Sequence, residues 1–249
     1  MIDNYNIKLL YNSEEGFHNN PGYRLYSCLM EFFPEKLCDS IHDNSKTPFS
    51  QNILYDNSKG TAIWQICSYD SEITNSLDKV LKENTEVYLK NDDITLKADI
   101  VDKSCINGFG DIRKLSAQIA ESRNISLCFR TTTSLKKNGE YMLFPNLDLI
   151  IENLWKQWNN VFPNTPFEDD DLLDFLKRKT YISSYDLKSS CFKMKGSNVK
   201  GFYGKIIVTN KLSPPLKEIL ASLLIFSQYN GIGIKNALGM GKTTVVVTR

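Results

Sequence analysis

Residues 231–243 read Gly-Ile-Gly-Ile-Lys-Asn-Ala-Leu-Gly-Met-Gly-Lys-Thr, with glycines at 231, 233, 239 and 241. The preceding segment follows Pro214 and Pro215 and has leucine and isoleucine at helical spacing. The stretch TTVVVT at 243–248 is rich in β-branched residues, which favour a strand. The glycine-rich loop is therefore predicted to connect a helix to a final strand.

Two nucleotide-binding motifs contain similar glycines, and neither fits this order. A Walker A loop requires a glycine five residues before Gly241, where this chain has Asn236, and a helix where this chain has a strand. A dinucleotide fingerprint requires a strand before the loop and a helix after it. A nucleotide-dependent enzyme built on the GMGKTT stretch is therefore disfavoured.

Glycines in such a loop permit positive φ and let the backbone approach a ligand closely. Exposed amide groups can then hold phosphates, and two lysines add positive charge. We predict that this loop binds an RNA backbone through Gly231, Gly233, Lys235, Gly239, Gly241 and Lys242. The alternative is a tight connection whose glycines serve as a helix cap and a bulge.

Outward from the loop, periodicity predicts one order of elements in each half of the chain. The first half has predicted strands at 6–11, 52–55, 61–69 and 86–102 and predicted helices at 24–33, 35–41 and 71–83. The second half has predicted strands at 125–135, 141–144, 181–195, 202–209 and 243–248 and predicted helices at 147–162 and after Pro215. Strand, helix, two strands, helix, strand is the βαββαβ unit. We predict an α+β fold of two tandem ferredoxin-like (RRM-like) domains, at residues 1–120 and 121–249.

Composition agrees with two globular domains. The chain has 249 residues, 41% hydrophobic and 24% charged, which is typical of a protein with packed cores. No apolar run approaches the roughly 20 residues that span a bilayer, and the first residues lack a secretory pattern. A cytoplasmic protein without a membrane partner is expected. Six cysteines without a C-x-x-C pair predict neither a metal site nor disulfides, and no cofactor is expected.

Charge is distributed unevenly along the chain. Residues 1–120 hold 12 basic and 18 acidic side chains, whereas residues 121–249 hold 18 basic and 11 acidic ones. From Lys177 onward the counts are 13 and 2. Such a basic segment is typical of proteins that bind polyanions, although a solvated basic face is the simpler explanation.

Four stretches together suggest a family. They are the glycine-rich loop, KGFYGKIIV at 200–208, FPNLDLIIENLWKQWN at 144–159 and IHDNSKTPFSQNIL at 41–54. In this order and spacing they resemble the CRISPR repeat-processing endoribonucleases of the repeat-associated mysterious protein superfamily. The family's features are a glycine-containing strand before the last helix, a helix ending in Trp-Asn, and a histidine followed by a short loop and a Lys-x-Phe-x-x-Ser block. The stretch KTPFS at 46–50 of this chain is similar to that block.

The resemblance implies a metal-independent ribonuclease that cuts CRISPR repeat RNA into guide RNAs. Without a metal, the ribose 2′-OH attacks the adjacent phosphate and leaves a 2′,3′-cyclic phosphate and a 5′-OH, so the protein must move protons and stabilise charge. His42 is the predicted acid or base, because imidazole exchanges protons near neutral pH, and Lys46 is the predicted stabilising cation. The alternatives are a histidine that satisfies a helix-end carbonyl and an exposed loop lysine. His18 is predicted to be a surface residue.

A third catalytic residue is harder to assign. Better-studied members have a tyrosine on the first helix where this chain has Met30. Tyr26 lies one helical turn earlier on the same face and could supply the hydroxyl, or it could belong to the core. Similarly, Phe202, Tyr203 and Tyr229 could stack on bases or lie in the core.

Two functions from different classes follow. One is the endoribonuclease, and the other is a non-cleaving repeat-RNA-binding subunit of a CRISPR interference complex. The joint presence of His42 and Lys46 favours the enzyme. The predicted partner is the CRISPR repeat RNA of the precursor transcript, and other interference subunits or a second copy of the chain are further candidates.

Overall fold

The computed structural model describes residues 1–12, 17, 21–43, 48–90, 93–194 and 196–247, without the side chains of 43, 100 and 101. The chain forms two compact units. One consists of Met1–Cys105 with Lys235–Gly239, and the other of Ile106–Ile234 with Met240–Arg249. Of the helices in these described ranges, none is both long and apolar enough to cross a membrane.

The first unit is built on a five-stranded sheet. Its elements are β1 (Ile2–Leu10), α1 (Pro21–Phe32), α2 (Glu35–Asp43), β2 (Phe49–Asp56), β3 (Thr61–Ser68), α3 (Ser71–Glu83), β4 (Glu86–Leu89) and β5 (Ile94–Ile106). The strand order is β2-β3-β1-β5-β4, and β3 is antiparallel to both β1 and β2. The predicted single strand at 86–102 is in fact the hairpin of β4 and β5, which adds an edge strand to the ferredoxin-like order.

Local sequence explains the helices of this unit. Pro34 lacks an amide hydrogen and separates α1 from α2. Asp70 caps α3, because its carboxylate accepts hydrogen bonds from the backbone amides of Glu72 and Ile73. The α3 residues Ile73, Leu77 and Val80 are buried, as the helical spacing predicts.

The second unit contains a four-stranded antiparallel sheet. Its elements are α4 (Phe109–Ala120), β6 (Asn124–Thr133), β7 (Lys136–Lys137), β8 (Glu140–Tyr141), α5 (Leu147–Val161), α6 (Asp170–Lys179), β9 (Thr180–Met194), β10 (Ser197–Asn210), α7 (Pro214–Asn230) and β11 (Thr243–Val247). The order β11-β6-β10-β9 is that of a ferredoxin-like βαββαβ unit. The predicted fold class, α+β with two ferredoxin-like units, is confirmed.

The division between the units differs from the boundary expected at residue 120. Helix α4, which the sequence pattern did not indicate, packs along α7 in the second unit. Ser116 Oγ and Ser222 Oγ lie 3.3 Å apart, and Arg113 forms an ion pair with Glu218 at 2.8 Å. The second unit therefore includes residues from Ile106 onward.

Two motif segments of the second unit are explained by packing. A Cβ at Gly201 would collide with the backbone oxygen of Thr133, and one at Gly204 with that of Asp186, so both glycines permit close backbone contacts. Trp158 Nε1 donates to the carbonyl of Thr165 at 3.0 Å. The adjacent Asn159 donates to the Phe167 carbonyl and accepts from its amide. The Trp-Asn pair therefore fixes the segment that follows α5.

Candidate active site and glycine-rich loop

Helix α2 presents His42 to solvent. Leu37 and Ile41 lie four residues apart and are both buried in the core of the first unit, which fixes the rotation of the helix. His42 is the next residue after Ile41, so it points away from this buried row, and it is exposed. The imidazole therefore lies where a substrate can reach it, near the last residue of a short helix.

Tyr26 packs against the first residue of β2. Its ring stacks on Phe49 with a centroid distance of 6.1 Å and an interplanar angle of 12°. Its side chain is partly buried against the hydrophobic core of the first unit. Tyr26 thus packs beside this core.

The environment of Tyr26 sets the protonation of its phenol. Burial is the main cause that raises the pKa of Tyr26 above the usual 10.0, with smaller contributions from Cys38 and Tyr23. The phenol is therefore protonated at neutral pH. It can donate a hydrogen bond there, but it cannot act as a base. Met30, which occupies the position where the family's tyrosine was expected, is partly buried against the same core.

Two candidates from the sequence lie outside the described residues. These are Lys46, four residues after His42, and His18. The structure therefore neither supports nor opposes the roles predicted for them.

The glycine-rich loop uses its own amides internally. Gly231 donates to the carbonyl of Ser227 at 2.9 Å, Gly239 to Asn236 at 3.2 Å and Gly241 to Thr132 at 3.0 Å. The Gly233 amide donates to Asn153 Oδ1 at 2.9 Å. These glycines are also buried. Phosphate binding by exposed glycine amides, as expected from the sequence, thus differs from the observed arrangement, in which the amides have protein acceptors.

Positive φ explains why glycine is needed at these positions. The φ angles are 77° at Gly231, 87° at Gly233, 97° at Gly239 and 75° at Gly241. A Cβ at Gly233 would meet the backbone oxygen of Ser134, and one at Gly239 would lie 2.9 Å from the Cα of Gly22. The alternative explanation, that the glycines serve the connection itself, accounts for these contacts.

The two lysines of the loop have different environments. Lys242 is 8% exposed, and its Nζ donates to the carbonyl of Gln228 at 2.8 Å, near the end of α7. This burial differs from the expectation that Lys242 projects its charge toward RNA. Lys235 is partly exposed and has a positive φ of 59°. Of the two ammonium groups, that of Lys235 is the more accessible.

Sequence reasoning missed Gln51, which holds part of the loop. Within the first unit, Gln51 is 1% exposed, and its Nε2 donates to the carbonyls of Gly22 at 2.6 Å and Ala237 at 2.9 Å. Its Oε1 accepts from Trp64 Nε1 at 2.6 Å. The available signal was the alternation of side chains along a strand. Gln51 lies two residues from both Phe49 and Ile53 of β2, which are buried, so it shares their face of the sheet.

Aromatic and basic residues of the second unit separate by exposure. Phe202 is fully buried against Phe129, so it belongs to the core, whereas Tyr203 is 40% exposed. Among the described residues of the β9–β10 hairpin, the exposed lysines are Lys188, Lys193, Lys200 and Lys205. The basic segment predicted from the sequence is therefore partly a surface of this hairpin.

The fold and this placement of residues define a protein with two ferredoxin-like units and an exposed histidine on the first. Comparison with known proteins points to one family. The family model described as CRISPR-associated endoribonuclease Cas6 matches residues 127–243. These findings confirm the resemblance to CRISPR repeat-processing endoribonucleases that the sequence motifs indicated.

Individual relatives extend the match beyond that segment. The chain is 27% identical to a CRISPR-associated endoribonuclease Cas6 of Streptococcus thermophilus, over 88% of this chain and 88% of that protein. It is 23% identical to one of Mycobacterium tuberculosis, over 90% and 71%.

Solved structures show the same fold. A Cas6 product complex superposes with a TM-score of 0.78 at 17% identity, covering 99% of this chain and 100% of that one. Thermus thermophilus Cas6 superposes with a TM-score of 0.69 at 16% identity, covering 99% and 98%.

Proposed function

We propose that this protein is a metal-independent endoribonuclease that cuts CRISPR repeat RNA into guide RNAs. The observation that carries the proposal is the exposed imidazole of His42 in the last turn of α2. The relatives named as Cas6 endoribonucleases supply the reaction class. One of the similar structures is described as a product complex, and another as a RAMP protein binding different RNA substrates, which supports RNA as the ligand proposed here.

In the proposed reaction, the 2′-oxygen of the ribose forms a bond to the adjacent phosphorus while the bond to the 5′-oxygen breaks. His42 accepts the 2′-OH proton or donates a proton to the leaving 5′-oxygen. Lys46 would offset the negative charge that develops on the phosphorane. The protonated Tyr26 phenol would donate a hydrogen bond to the negatively charged oxygens of the phosphorane. The products are a 2′,3′-cyclic phosphate and a 5′-OH.

RNA binding is proposed to use positive charge rather than the loop amides. Lys235 would contact phosphate, and the exposed lysines of the β9–β10 hairpin would add to the field. Gly231, Gly233, Gly239 and Gly241 would shape the loop, and Lys242 would hold it to α7. Association with a second copy or with interference subunits stays a prediction.

The decisive experiment incubates the repeat RNA of the host's own CRISPR array with the protein in EDTA. We expect cleavage at one position, with mass spectrometry showing a 2′,3′-cyclic phosphate. The same RNA with a 2′-deoxyribose at that position should stay intact. Bound but uncut RNA would instead identify the non-cleaving RNA-binding subunit, and cleavage only after Mg²⁺ addition would contradict the proposed chemistry.

A further inference from the structure

The segment Lys235–Gly239 of the glycine-rich loop is part of the core of the first unit. Its short 3₁₀ turn, Asn236–Leu238, lies beside β2 and α1. Ala237 is 6% exposed and belongs to the same apolar cluster as Trp64 and Leu25. The turn is thus packed as a core element, although its neighbours in sequence belong to the other unit.

Two features hold this turn at the beginning of α1. Gly22 and Gly239 approach so closely that a Cβ on either one would lie 2.9 Å from the Cα of the other. The second feature is the buried carboxamide of Gln51, whose Nε2 donates to the Gly22 and Ala237 carbonyls together. Trp64 fixes the orientation of that carboxamide by donating to Oε1. The two donated hydrogen bonds and the accepted one together hold the Gln51 carboxamide in a single orientation.

We propose that Gln51 is a positioning residue for RNA binding, which acts by holding the 236–238 turn and thereby fixing the place of Lys235. Lys235 directly precedes the turn, and its carbonyl accepts the hydrogen bond from the Leu238 amide at 2.9 Å. Its backbone has a positive φ of 59°, which residues with a side chain rarely adopt. Release of the turn would let Lys235 leave this conformation. The inference rests on the proposed RNA binding by Lys235.

A double-mutant cycle tests whether Gln51 acts through Lys235. Gln51→Met keeps a similar shape and removes both donated hydrogen bonds together with the acceptor of the Trp64 Nε1 hydrogen bond. Affinity is measured with the host's repeat RNA carrying a 2′-deoxyribose at the scissile position, so that no turnover occurs. We expect about 5-fold weaker binding for Gln51→Met, the equivalent of one typical hydrogen bond. In a Lys235→Ala background, the same substitution should change the affinity by less than about 2-fold.

A matched control separates positioning from general loss of stability. Asn52 is the next residue of β2, is also buried, and donates to Gln65 rather than to the turn. Both Gln51→Met and Asn52→Ala should lower Tm by about 2–4 °C. Only Gln51→Met should weaken RNA binding, and with cleavable RNA it should raise KM while leaving kcat within about 2-fold.

Two results would overturn the inference. One is unchanged RNA affinity in Gln51→Met despite its lower Tm. The other is a double variant whose loss of RNA affinity equals the product of the fold-losses in Gln51→Met and Lys235→Ala. Failure of the proposed enzyme is distinguishable, because it would appear as intact wild-type substrate in EDTA while the binding cycle still shows coupling.

Discussion

The end of α2 and the glycine-rich loop contain the strongest functional signals of the sequence, and they are built in opposite ways. At the end of α2, buried Leu37 and Ile41 anchor a helix whose next residue, His42, is exposed. In the loop, the glycine amides donate to protein acceptors, and Lys242 is buried. A sequence motif can therefore identify a family through its scaffold, while the proposed chemistry belongs to a less conspicuous residue.

The largest expected effect is at the exposed histidine. His42→Ala should lower the cleavage rate by about 10² to 10⁴, because proton transfer is lost. RNA affinity should stay within about 2-fold, since this contribution appears in the transition state. Single-turnover kinetics and a binding titration measure the two quantities. Lys36→Ala, an exposed change on the same helix, is the control and should leave both unchanged. An equal loss of affinity in His42→Ala would count against a role in proton transfer.

The next effect tests the loop as a scaffold. Gly239→Ala places a methyl group at a positive φ of 97° and 2.9 Å from the Cα of Gly22, so we expect a loss of about 1–3 kcal/mol of stability. Thermal unfolding measures it. Gly110→Ala, on α4 with nothing within 4 Å of the added carbon, is the matched control and should be close to neutral. Equal melting temperatures for the two variants would mean that the loop is not held as described.

The buried lysine gives a smaller and more specific test. Lys242→Met removes the hydrogen bond to the Gln228 carbonyl and should cost about 1 kcal/mol of stability while keeping RNA affinity. Lys235→Ala should instead keep the stability and weaken RNA binding. The slope of log affinity against log salt concentration should become shallower by about 0.7, the value of one phosphate contact. Denaturant unfolding and titrations at several salt concentrations separate the two. If Lys242→Met weakened binding without loss of stability, the loop would contact RNA directly through this residue.

The smallest effect is expected at the phenol of Tyr26. Tyr26→Phe keeps the ring stacked on Phe49 and removes only the hydroxyl, so the cleavage rate should fall about 5-fold. Because the pKa of Tyr26 is raised above 10.0, the phenol stays protonated from pH 6 to 9, and the ratio of the two rates should be constant over that range. An unchanged rate would assign Tyr26 to the core alone.

Much of the fold could be predicted from local pattern. The predicted helices at 71–83 and 147–162 match α3 and α5 closely, because apolar spacing and N-cap residues Asp70 and Asn146 define them locally. Of the missed helices, α6 is short and buries only Leu173 and Leu176. Helix α4 is recognisable mainly by its packing on α7. The compact units divide at Ile106 and not at residue 120, because α4 packs on α7.

For the candidate site, too, some features could be predicted from the sequence and others only from the tertiary structure. The sequence by itself determined the two βαββαβ orders and the need for glycine in the loop, because periodicity and turn chemistry are local properties. Its resemblance to a known family singled out His42 as the candidate. Only the tertiary structure decided that Lys242 is buried, that His42 is exposed, and that Gln51 joins two segments far apart in sequence. Burial and hydrogen-bond partners depend on which distant segments meet, and one-dimensional spacing does not contain that information.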